Sequence, residues 1–362
     1  MDVSINNLLF QHNHHLIKFL YMKKIRFGVI GTNFITEWVI AGARADSRFE
    51  LAAVCSRSAD TADRFADKHG IPHRFVSVEE MARSPYVDAV YIASPNFKHA
   101  EQALVCMSHG KHVLCEKPLA SNAGEARAMV EASRRYGVTL MEAMKTTLTP
   151  GFRKVMDSMK DVGTVRRYFA SFCQYSSRYD RFKAGELPNA FNPAMSNGAV
   201  MDLGVYTIYP MVVLFGMPAR ISASGLLLPT GADGQGSAIF GYDGFDAVVM
   251  YSKIADSSLP SEIQGESGML LIDRINRMGR VTFTPHVANV AGGASRGFEQ
   301  VALDCGDDAI ENDYYYEIKE FIDLIEEDRR ESDINSHANS VAVMEIVDEI
   351  RRQIGVEFPC DR

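Results

Sequence analysis

The sequence predicts an α/β protein in two parts, a doubly wound parallel sheet followed by an α+β unit with a large, mostly antiparallel open sheet. Three observations favour this organisation. Short apolar runs alternate with helical patterns over residues 22–143, successive strand-like runs follow Pro150, and 362 residues suit two domains of ordinary size. We therefore expect one domain over residues 22–143 and a second over residues 144–362.

The strands expected in the first domain are near-continuous apolar runs, which are typical of a parallel sheet covered on both faces. They cover residues 25–30, 51–55, 89–93, 113–115 and 139–143. Helical patterns lie between them, and two of these begin at good capping residues, Ser58 and Asn122, and end at Gly70 and Gly137. This alternation predicts a doubly wound domain.

Strand-like runs with few helices between them make up much of the second domain. They cover residues 165–172, 220–228, 237–242, 246–252, 269–273 and 281–284. Asp243 and Gly244, between two of these runs, are a typical hairpin signal. Two helical patterns, at residues 314–328 and 340–354, close the chain. The pattern predicts a mostly antiparallel sheet with helices, hence an α+β domain.

Composition excludes several classes of partner. The formal net charge is −8 and no dense basic segment is present, which argues against nucleic-acid binding. No apolar run approaches the roughly 18 residues of a membrane span, so we expect no membrane partner. The six cysteines form no C-x-x-C pair, and we expect no metal site.

Residues 1–21 precede the first strand and read as a disordered extension. The alternative is a metal-binding segment, because His12, His14 and His15 lie close together in it. The segment lacks the positive start and cleavage site of a secretory signal, so a cytoplasmic location is expected.

The first strand-to-helix turn is a candidate phosphate-binding loop. A dinucleotide fingerprint would read G-x-G-x-x-G here, and Gly31 matches it, whereas Asn33 and Thr36 replace the later glycines. Because asparagine tolerates left-handed backbone, we expect Asn33 to preserve the turn in that conformation. The candidate cofactor contacts in this turn are Gly31, Thr32, Asn33, Phe34 and Ile35. A turn without a ligand is the alternative interpretation.

The end of the second strand bears on the choice of dinucleotide. An acidic residue at this point would bind the ribose 2′-hydroxyl of NAD, whereas arginine suits the 2′-phosphate of NADP. The sequence has Ser56 and Arg57 and no carboxylate before Asp60. We therefore expect NADP to be preferred over NAD, with a merely exposed arginine as the alternative.

Further polar motifs follow the later strands, where open α/β sheets bind ligands. They are Ser94-Pro95-Asn96 with His99, Glu116-Lys117-Pro118, Met141-Glu142-Ala143, and the segment from Asn197 to Tyr206 that reads NGAVMDLGVY. In this combination the chain resembles the Gfo/Idh/MocA family of oxidoreductases, from about Lys23 to its C-terminus. The resemblance implies a Rossmann domain that binds NADP or NAD.

The resemblance also implies roles for particular residues. Lys117 would lie beside the nicotinamide and the reacting oxygen, and the family's D-x-G-x-[HY] segment falls on Asp202 to Tyr206, with tyrosine in place of the more frequent histidine. Further cofactor contacts would be Ser94, Pro95, Asn96, His99, Glu116, Lys117 and Glu142. Family members usually associate through the outer face of the second sheet, so a homodimer or larger assembly is expected.

The residues themselves agree with alcohol–carbonyl chemistry. A carbonyl that receives a hydride must also receive a proton, and Tyr206 can supply it. Lys117 would lower the pKa of Tyr206 and stabilise the developing oxyanion, and Asp202 would orient the substrate hydroxyl or hold Lys117 charged. These three are the expected catalytic residues, and they would also bind substrate.

Tyr175 and Arg178 belong to a polar and aromatic cluster in the second domain that would line a substrate pocket, with a solvated turn as the alternative. The predicted activity is an NAD(P)-dependent interconversion of a secondary alcohol and a carbonyl on a sugar, polyol or cyclic diol. The alternative is a dinucleotide-binding regulatory protein without turnover.

Overall fold

The computed structural model of the chain describes residues 24–286, 300–305 and 312–362. The expected extension at residues 1–21, with its three histidines, lies outside the described residues. Among those that are described, no group of three or more histidine, cysteine, aspartate or glutamate side chains is placed to hold a metal ion. Two sheets organise the described part of the chain.

The first sheet has six parallel strands. Their bounds are β1 Ile25–Ile30, β2 Phe49–Cys55, β3 His73–Phe75, β4 Ala89–Ile92, β5 His112–Glu116 and β6 Leu140–Ala143. They lie in the order β3-β2-β1-β4-β5-β6, which is the strand order of a Rossmann domain. The predicted doubly wound sheet is therefore confirmed. The three-residue strand β3 was not predicted, because so short a run carries no periodic signal.

Five helices connect these strands. They are α1 Phe34–Ala43, α2 Ala59–His69, α3 Val78–Arg83, α4 His99–Ser108 and α5 Ala123–Tyr136. The side chains of Ser58 and Asn122 accept hydrogen bonds from the first turns of α2 and α5, and Gly70 and Gly137 end these helices in left-handed backbone. The sequence signals for these two helices thus act as expected.

The second sheet has eight strands among the described residues. Their bounds are β7 Val165–Cys173, β8 Arg220–Leu227, β9 Asp233–Gly241, β10 Asp246–Ser252, β11 Ser261–Gly265, β12 Gly268–Ile272, β13 Val281–Pro285 and β14 Val301–Leu303. The order is β14-β13-β12-β11-β7-β10-β9-β8. Only β7 and β10 pair in parallel, so the predicted, mostly antiparallel sheet is confirmed.

The second half of the chain also carries five α-helices among the described residues. They are α6 Pro150–Val162, α7 Tyr179–Lys183, α8 Val205–Phe215, α9 Tyr314–Glu326 and α10 His337–Ile354. Buried residues of α6, α8 and α10 form one core with Tyr168 and Phe240 on the inner face of the second sheet. The opposite face is open, and Ile239 is 54% exposed on it.

One segment corrects the expectation that no apolar run is long enough to span a membrane. Residues Pro193–Phe215 pass that test by length and composition, but 67% of the apolar window is buried inside the molecule. Ile208, Tyr209 and Met211 of this segment are fully buried in the core with the second sheet. Packing in the core therefore accounts for the hydropathy of this helix.

Helix α9 packs on the first sheet although it lies near the C-terminal end of the chain. Ile318 and Phe321 are buried in the same cluster as Phe27 of β1, and the ring centroids of Phe27 and Phe321 are 6.0 Å apart. A Cβ atom at Gly42 of α1 would lie 2.9 Å from the Tyr315 nitrogen, so the two helices meet at a glycine. Residues from the end of the chain thus complete the layer over β1.

Candidate active site

A cleft of about 1100 Å³ lies along the carboxyl ends of the parallel strands, between the first sheet and residues from the second half of the chain. Most of the residues predicted to form the site border it. These are Asn33, Phe34, Ile35, Ser94, Pro95, Asn96, His99, Glu116, Lys117, Arg178, Asp202 and Tyr206. The fold therefore brings residues separated by up to 173 positions to one edge of the sheet.

Asn33 holds the turn after β1, but not in the way the sequence suggested. Its backbone is extended, with φ −88° and ψ 176°, so the expected left-handed conformation is wrong. Asn33 is instead the N-cap of α1, because its Oδ1 accepts from the nitrogens of Ile35 at 2.8 Å and Thr36 at 3.2 Å. Its Nδ2 donates to the Ala93 oxygen at 2.8 Å and ties the turn to the end of β4.

Gly31 is the residue of this turn that needs glycine. Its φ is +99°, and a Cβ atom there would lie 2.7 Å from the Ala93 oxygen. The glycine therefore allows β1 and the end of β4 to approach closely. Gly31 and Thr32 do not border the cleft; the helix N-terminus that follows them does.

Ser56 and Arg57 lie at the carboxyl end of β2, outside the cleft lining. The Ser56 nitrogen donates to the Phe75 oxygen at 3.1 Å. The Arg57 side chain is exposed and makes no ion pair with any described residue. An exposed, unpaired guanidinium beside the sheet edge is available to an anionic group.

His99 is a fully buried residue that links two loops of the site. Its Nδ1 lies 3.0 Å from the Pro118 oxygen and its Nε2 lies 2.9 Å from the Ser94 oxygen. Burial lowers the pKa of the His99 imidazole. Because both ring nitrogens face backbone oxygens, His99 positions the loops after β4 and β5 through these contacts.

Lys117 and Asp202 meet in the middle of the cleft. The Lys117 Nζ donates to Asp202 Oδ1 at 3.0 Å and to the Asp202 backbone oxygen at 2.9 Å. Burial alone would lower the pKa of Lys117, but Tyr206 and Asp202 outweigh it and the pKa is raised. The predicted role of Asp202 in holding Lys117 charged agrees with this geometry.

Asp202 has a second cationic partner that the sequence reasoning missed. Lys253, directly after β10, places its Nζ 2.8 Å from Asp202 Oδ2. Burial would raise the pKa of Asp202, but Lys253 and Lys117 together hold it well below its usual range. Asp202 is therefore a carboxylate shared by two ammonium groups.

The backbone around Asp202 is a π-helical turn, Val200–Gly204, that leads directly into α8. The buried Asp233 carboxylate accepts from the nitrogens of Ala199 at 3.0 Å and Val200 at 2.7 Å at the start of this helical segment. A side chain at Gly198 would collide with Asp233. These contacts fix the turn that presents Asp202 and Tyr206 to the cleft.

Tyr206 lies beside Lys117, whose Nζ is 4.7 Å from the centre of the tyrosine ring. Its hydroxyl makes no hydrogen bond within the described part of the chain, and Phe172 packs edge-on against its ring. Burial raises the pKa of Tyr206 to about 12, although Lys117 acts to lower it. The expected lowering by Lys117 is therefore present, but the effect of burial is larger and the pKa is raised overall.

The carboxyl groups of Glu116 and Glu142 each accept a hydrogen bond from a neighbouring segment of the first domain. Glu116 Oε1 accepts from the Tyr91 hydroxyl at 2.6 Å, and burial raises the pKa of Glu116. Glu142 does not border the cleft; its Oε1 accepts from the Leu119 nitrogen at 3.0 Å, and burial raises the pKa of Glu142 to about 7. Glu142 thus fixes the chain that follows Lys117.

The structure separates the two candidates in the second-domain cluster. Arg178 borders the cleft and lies 5.6 Å above the Phe34 ring of α1. Tyr175 does not border the cleft. Its hydroxyl donates to Asp180 Oδ1 at 2.7 Å, and its ring packs against Tyr179. The cluster therefore contributes its arginine, not this tyrosine, to the cleft.

Several cleft residues had no assigned role from the sequence. They are Trp38, Lys145, Phe172, Leu187, Pro188, Asn189, Asn197, Leu203, Asn276, Arg277, Gly279, Asn312, Asp313 and Tyr314, whereas Arg181, which also borders the cleft, belongs to the predicted cluster of Tyr175 and Arg178. Most lie in turns that only the tertiary fold brings together. Asn197 and Leu203 are exceptions, because both lie in the Asn197–Tyr206 segment that the sequence had already singled out.

Both halves of the chain match profiles of one protein family. The profile described as "Oxidoreductase family, NAD-binding Rossmann fold" of the Gfo/Idh/MocA group matches residues 25–144, and the C-terminal domain profile of the same group matches residues 153–271. The chain belongs to the Gfo/Idh/MocA family. The predicted resemblance is therefore confirmed.

Three similar proteins are informative. The scyllo-inositol 2-dehydrogenase (NADP(+)) IolU of Bacillus subtilis is 48% identical over 93% of this chain and 99% of its own length. The mouse trans-1,2-dihydrobenzene-1,2-diol dehydrogenase is 29% identical over 93% of this chain and 99% of its own length. A levoglucosan dehydrogenase solved with NADH and levoglucosan is 20% identical, covers 92% of this chain and 98% of its own, and has a TM-score of 0.79.

The residues of the cleft fit a nicotinamide dinucleotide. The N-terminus of α1 borders the cleft through Asn33, Phe34 and Ile35, and a helix N-terminus favours phosphate groups. The positive φ of Gly31 provides the tight turn that the first glycine of a dinucleotide-binding motif supplies. The cleft then extends along the sheet edge to Lys117, which is the course expected for a dinucleotide in a Rossmann domain.

Proposed function

We propose that this chain is an NADP-linked dehydrogenase that interconverts a secondary alcohol and a ketone on a cyclic polyol. The observation that carries the proposal is the meeting of Lys117, Asp202 and Tyr206 at the carboxyl edge of a Rossmann sheet. The choice of a cyclic polyol is supported by the 48% identity to a protein named scyllo-inositol 2-dehydrogenase. The more distant dihydrodiol dehydrogenases support the same reaction on a ring diol.

The side chains divide the chemistry between them. A bound nicotinamide supplies or accepts the hydride at the substrate carbon. The Tyr206 hydroxyl, still protonated at neutral pH, can donate to the carbonyl oxygen as that oxygen becomes negative. The Lys117 ammonium stabilises the same negative charge, and Asp202 holds Lys117 in place.

The second half of the chain would recognise the substrate hydroxyls. Asn189, Asn197 and Arg178 border the cleft on this side, and amides and guanidinium groups donate to hydroxyl oxygens. We place Lys117, Arg178, Asp202 and Tyr206 in the substrate site. Tyr175 is left out of this proposal because its hydroxyl is bound to Asp180.

The dinucleotide would lie along the first sheet. We assign its phosphates to the turn from Gly31 to Ile35 and its nicotinamide half to Ser94, Pro95, Asn96 and Lys117. Arg57 and Ser56 would bind a 2′-phosphate, and the NADP(+) in the name of IolU supports this. His99, Glu116 and Glu142 would act by positioning these loops.

The test is a direct assay of the purified full chain. Scyllo-inositol, other inositol stereoisomers and aldoses are each supplied with NADP and NAD, and the absorbance of the reduced nicotinamide is followed. We expect the largest kcat/KM with a cyclic polyol and NADP, and a kcat roughly 10²- to 10⁴-fold lower in a Tyr206→Phe variant. Turnover of aldoses alone would overturn the choice of substrate class.

The regulatory alternative makes a different prediction in the same experiment. A protein without turnover would quench the fluorescence of NADPH on binding, yet consume none with any carbonyl compound offered. The unbound Tyr206 hydroxyl and the charged Lys117 favour the enzyme, because a sensor needs neither.

We also propose a homodimer formed through the open face of the second sheet. Ile239 of β9, Val248 of β10 and Phe169 of β7 lie in one cross-strand row on this face, next to the Arg167–Asp246 ion pair. Such an apolar row with a polar border suits association. Light scattering should show a dimer that Ile239→Asp converts to a monomer, whereas a monomeric wild-type chain would contradict the assignment.

The cysteines bear on where the protein is found in the cell, and we propose a cytoplasmic location. The six free cysteines, three of them buried, suit a reducing cytoplasm, and fractionation of expressing cells would test this location.

We also propose a domain boundary at residues 143 and 144, between the strands of the first sheet and those of the second. Helix α9 from the second part covers part of the first sheet. We therefore expect a fragment of residues 22–143 to be soluble only poorly on its own, because the face around Phe27 is then exposed.

A further inference from the structure

Lys253 is a buried lysine with no assigned role in the reaction. It follows β10, it is 2% exposed, and it does not border the cleft. Its ammonium group has three acceptors: Asp202 Oδ2 at 2.8 Å, the Ala190 oxygen at 2.9 Å and Asn197 Oδ1 at 3.5 Å. Because an ammonium group has three N–H donors, this contact set uses all of them.

Burying an ammonium group costs free energy unless its charge is paired. The charge of Lys253 is paired with Asp202, a residue of the site. Asp202 uses one oxygen for Lys253 and the other for Lys117. The three groups carry two positive charges and one negative charge. The group therefore retains one net positive charge beside Tyr206, where the oxygen of the substrate becomes negative in the proposed reaction.

Lys253 also joins Asp202 to a second segment that borders the cleft. Ala190 lies in the short helical turn Asn189–Phe191, and the Lys253 ammonium is 5.2 Å from the Phe191 ring. Asn189 and Asn197, on either side of these contacts, border the cleft. One buried cation thus holds both the carboxylate that orients Lys117 and the turn that faces the substrate.

We propose that Lys253 is a positioning residue for the reaction. It fixes the Asp202 carboxylate between two cations and sets the substrate-facing turn against it, without touching the substrate. The inference rests on the proposed oxidoreductase function. It predicts that loss of the Lys253 charge impairs both the chemical step and substrate binding.

The test compares Lys253→Met with Lys253→Arg, measuring kcat, KM and the pH profile of kcat/KM. For the methionine variant we expect kcat to fall roughly 10- to 100-fold and KM to rise, because the net positive charge and the tie to Ala190 are both lost. The pKa of Asp202 should rise towards its usual range, since removal of a cation raises the pKa of a neighbouring carboxyl group, and an acidic limb should enter the profile. The arginine variant should restore the wild-type profile.

The charged and titratable groups that face this pair come from several elements. They are Lys117 and Glu116 at the end of β5, Tyr206 on α8, and Asp233 on β9. Asp233 already has its pKa raised by burial. Asp202→Asn therefore serves as the reference, because this acidic limb should disappear when the carboxylate itself is removed.

A second measurement does not depend on turnover. In a double-mutant cycle on the protein without substrate, Lys253→Met should lower Tm much less in the Asp202→Asn background than in the wild-type background. Arg351→Met is the matched control, because Arg351 is also a buried, ion-paired cation but lies away from the cleft. It should lower Tm without changing the pH profile.

The outcomes separate this inference from the proposed function. An active wild-type chain whose Lys253→Met variant keeps the pH profile and KM, losing only Tm, would overturn the positioning role. A wild-type chain without turnover would overturn the proposed function instead, and additive Tm losses in the double-mutant cycle would then overturn the Lys253–Asp202 coupling as well.

Discussion

The ends of β5 and β2 present cations to the same sheet edge in opposite ways. After β5, Lys117 is 13% exposed and is held by two oxygens of Asp202, which is itself held by Lys253. After β2, Arg57 is exposed and has no ion-pair partner among the described residues. One cation is fixed before any ligand arrives, and the other keeps its rotational freedom until it binds.

The difference indicates which property each residue controls. Charge that stabilises a transition state has to be in place beforehand, since reorganising it during the reaction costs free energy. A side chain that only selects a cofactor can order on binding and still contribute to affinity. We therefore expect changes at the Lys117 end to affect kcat and changes at the Arg57 end to affect the Kd of the cofactor.

The largest effect is expected at Tyr206 and Lys117. Tyr206→Phe keeps the ring against Phe172 and removes the exchangeable proton, so kcat should fall roughly 10²- to 10⁴-fold with little change in cofactor Kd. Lys117→Met should cost at least roughly 10²-fold, because the oxyanion loses its cation. Stopped-flow and steady-state kinetics provide the measurement, with the exposed Tyr136→Phe as control.

The double variant of these two residues sharpens the comparison. If Lys117 and Tyr206 act as one unit, the double variant should be little slower than the poorer single variant. Losses that multiply would show independent action, and a fully active Tyr206→Phe would make Lys117 the first suspect for proton transfer.

Glu142, whose side chain holds the segment that follows Lys117, should make the free energy of unfolding depend on pH. Burial raises the pKa of Glu142 from 4.5 to about 7, so its folded state holds a proton that the unfolded state releases. The contribution of Glu142 to the free energy of unfolding is then greatest below pH 4.5 and falls by about 3 kcal/mol as the pH rises to about 7, at 1.36 kcal/mol for each pKa unit. Urea unfolding of Glu142→Gln should lack this fall.

A matched substitution on the surface, Glu101→Gln, should leave the pH dependence of unfolding as it is in the wild type. If Glu142→Gln and the wild-type chain lose stability in parallel between pH 5 and pH 8, the carboxyl of Glu142 is not the group that titrates.

A smaller effect is expected at the Arg57 end. Arg57→Ala should raise the Kd for NADP roughly 10- to 100-fold by removing a charge-assisted hydrogen bond, and should hardly change the Kd for NAD. Fluorescence titration with NADPH and NADH measures both, and Arg64→Ala, exposed on α2, is the control. Equal losses for the two cofactors would make Arg57 a structural residue.

The smallest effect is expected at Asn33, which follows β1, a strand that lies between β2 and β5 in the first sheet. Asn33→Ala removes the cap of α1 and should cost about 0.5–2 kcal/mol of the free energy of unfolding. Asn33→Asp retains the capping oxygen, yet loses the donor to Ala93 and places a negative charge where phosphates would lie. We expect it to weaken cofactor binding more than stability, and the reverse order would place the phosphates elsewhere.

The sequence predicted those features that local patterns encode. Buried parallel strands are nearly pure apolar runs, and caps such as Ser58 and Gly70 mark the ends of helices, so both sheets were predicted. The sequence also singled out Lys117, Asp202 and Tyr206 through their motifs, and the fold brings these three residues together in the cleft. What the motif could not give was the pKa of Tyr206, which depends on how much water the surrounding chain excludes.

Lys253 shows the limit of this reasoning. It follows a strand, where a lysine ordinarily extends into solvent, and its partner Asp202 lies 51 positions earlier. No local pattern distinguishes a buried lysine from an exposed one. Asn33 was misread for a related reason, since an asparagine that replaces glycine and an asparagine that caps a helix look alike in sequence.

Helix α9 has a consequence for how the protein is made. A ribosome completes β6 at Ala143 well before it reaches Tyr314, and the intervening stretch of roughly 170 residues takes on the order of ten to thirty seconds at usual elongation rates. During that interval the apolar surface of Phe27 and Tyr91 lacks Ile318 and Phe321. The apolar surface that α9 covers in the folded protein is therefore open on the growing chain until most of it has been translated.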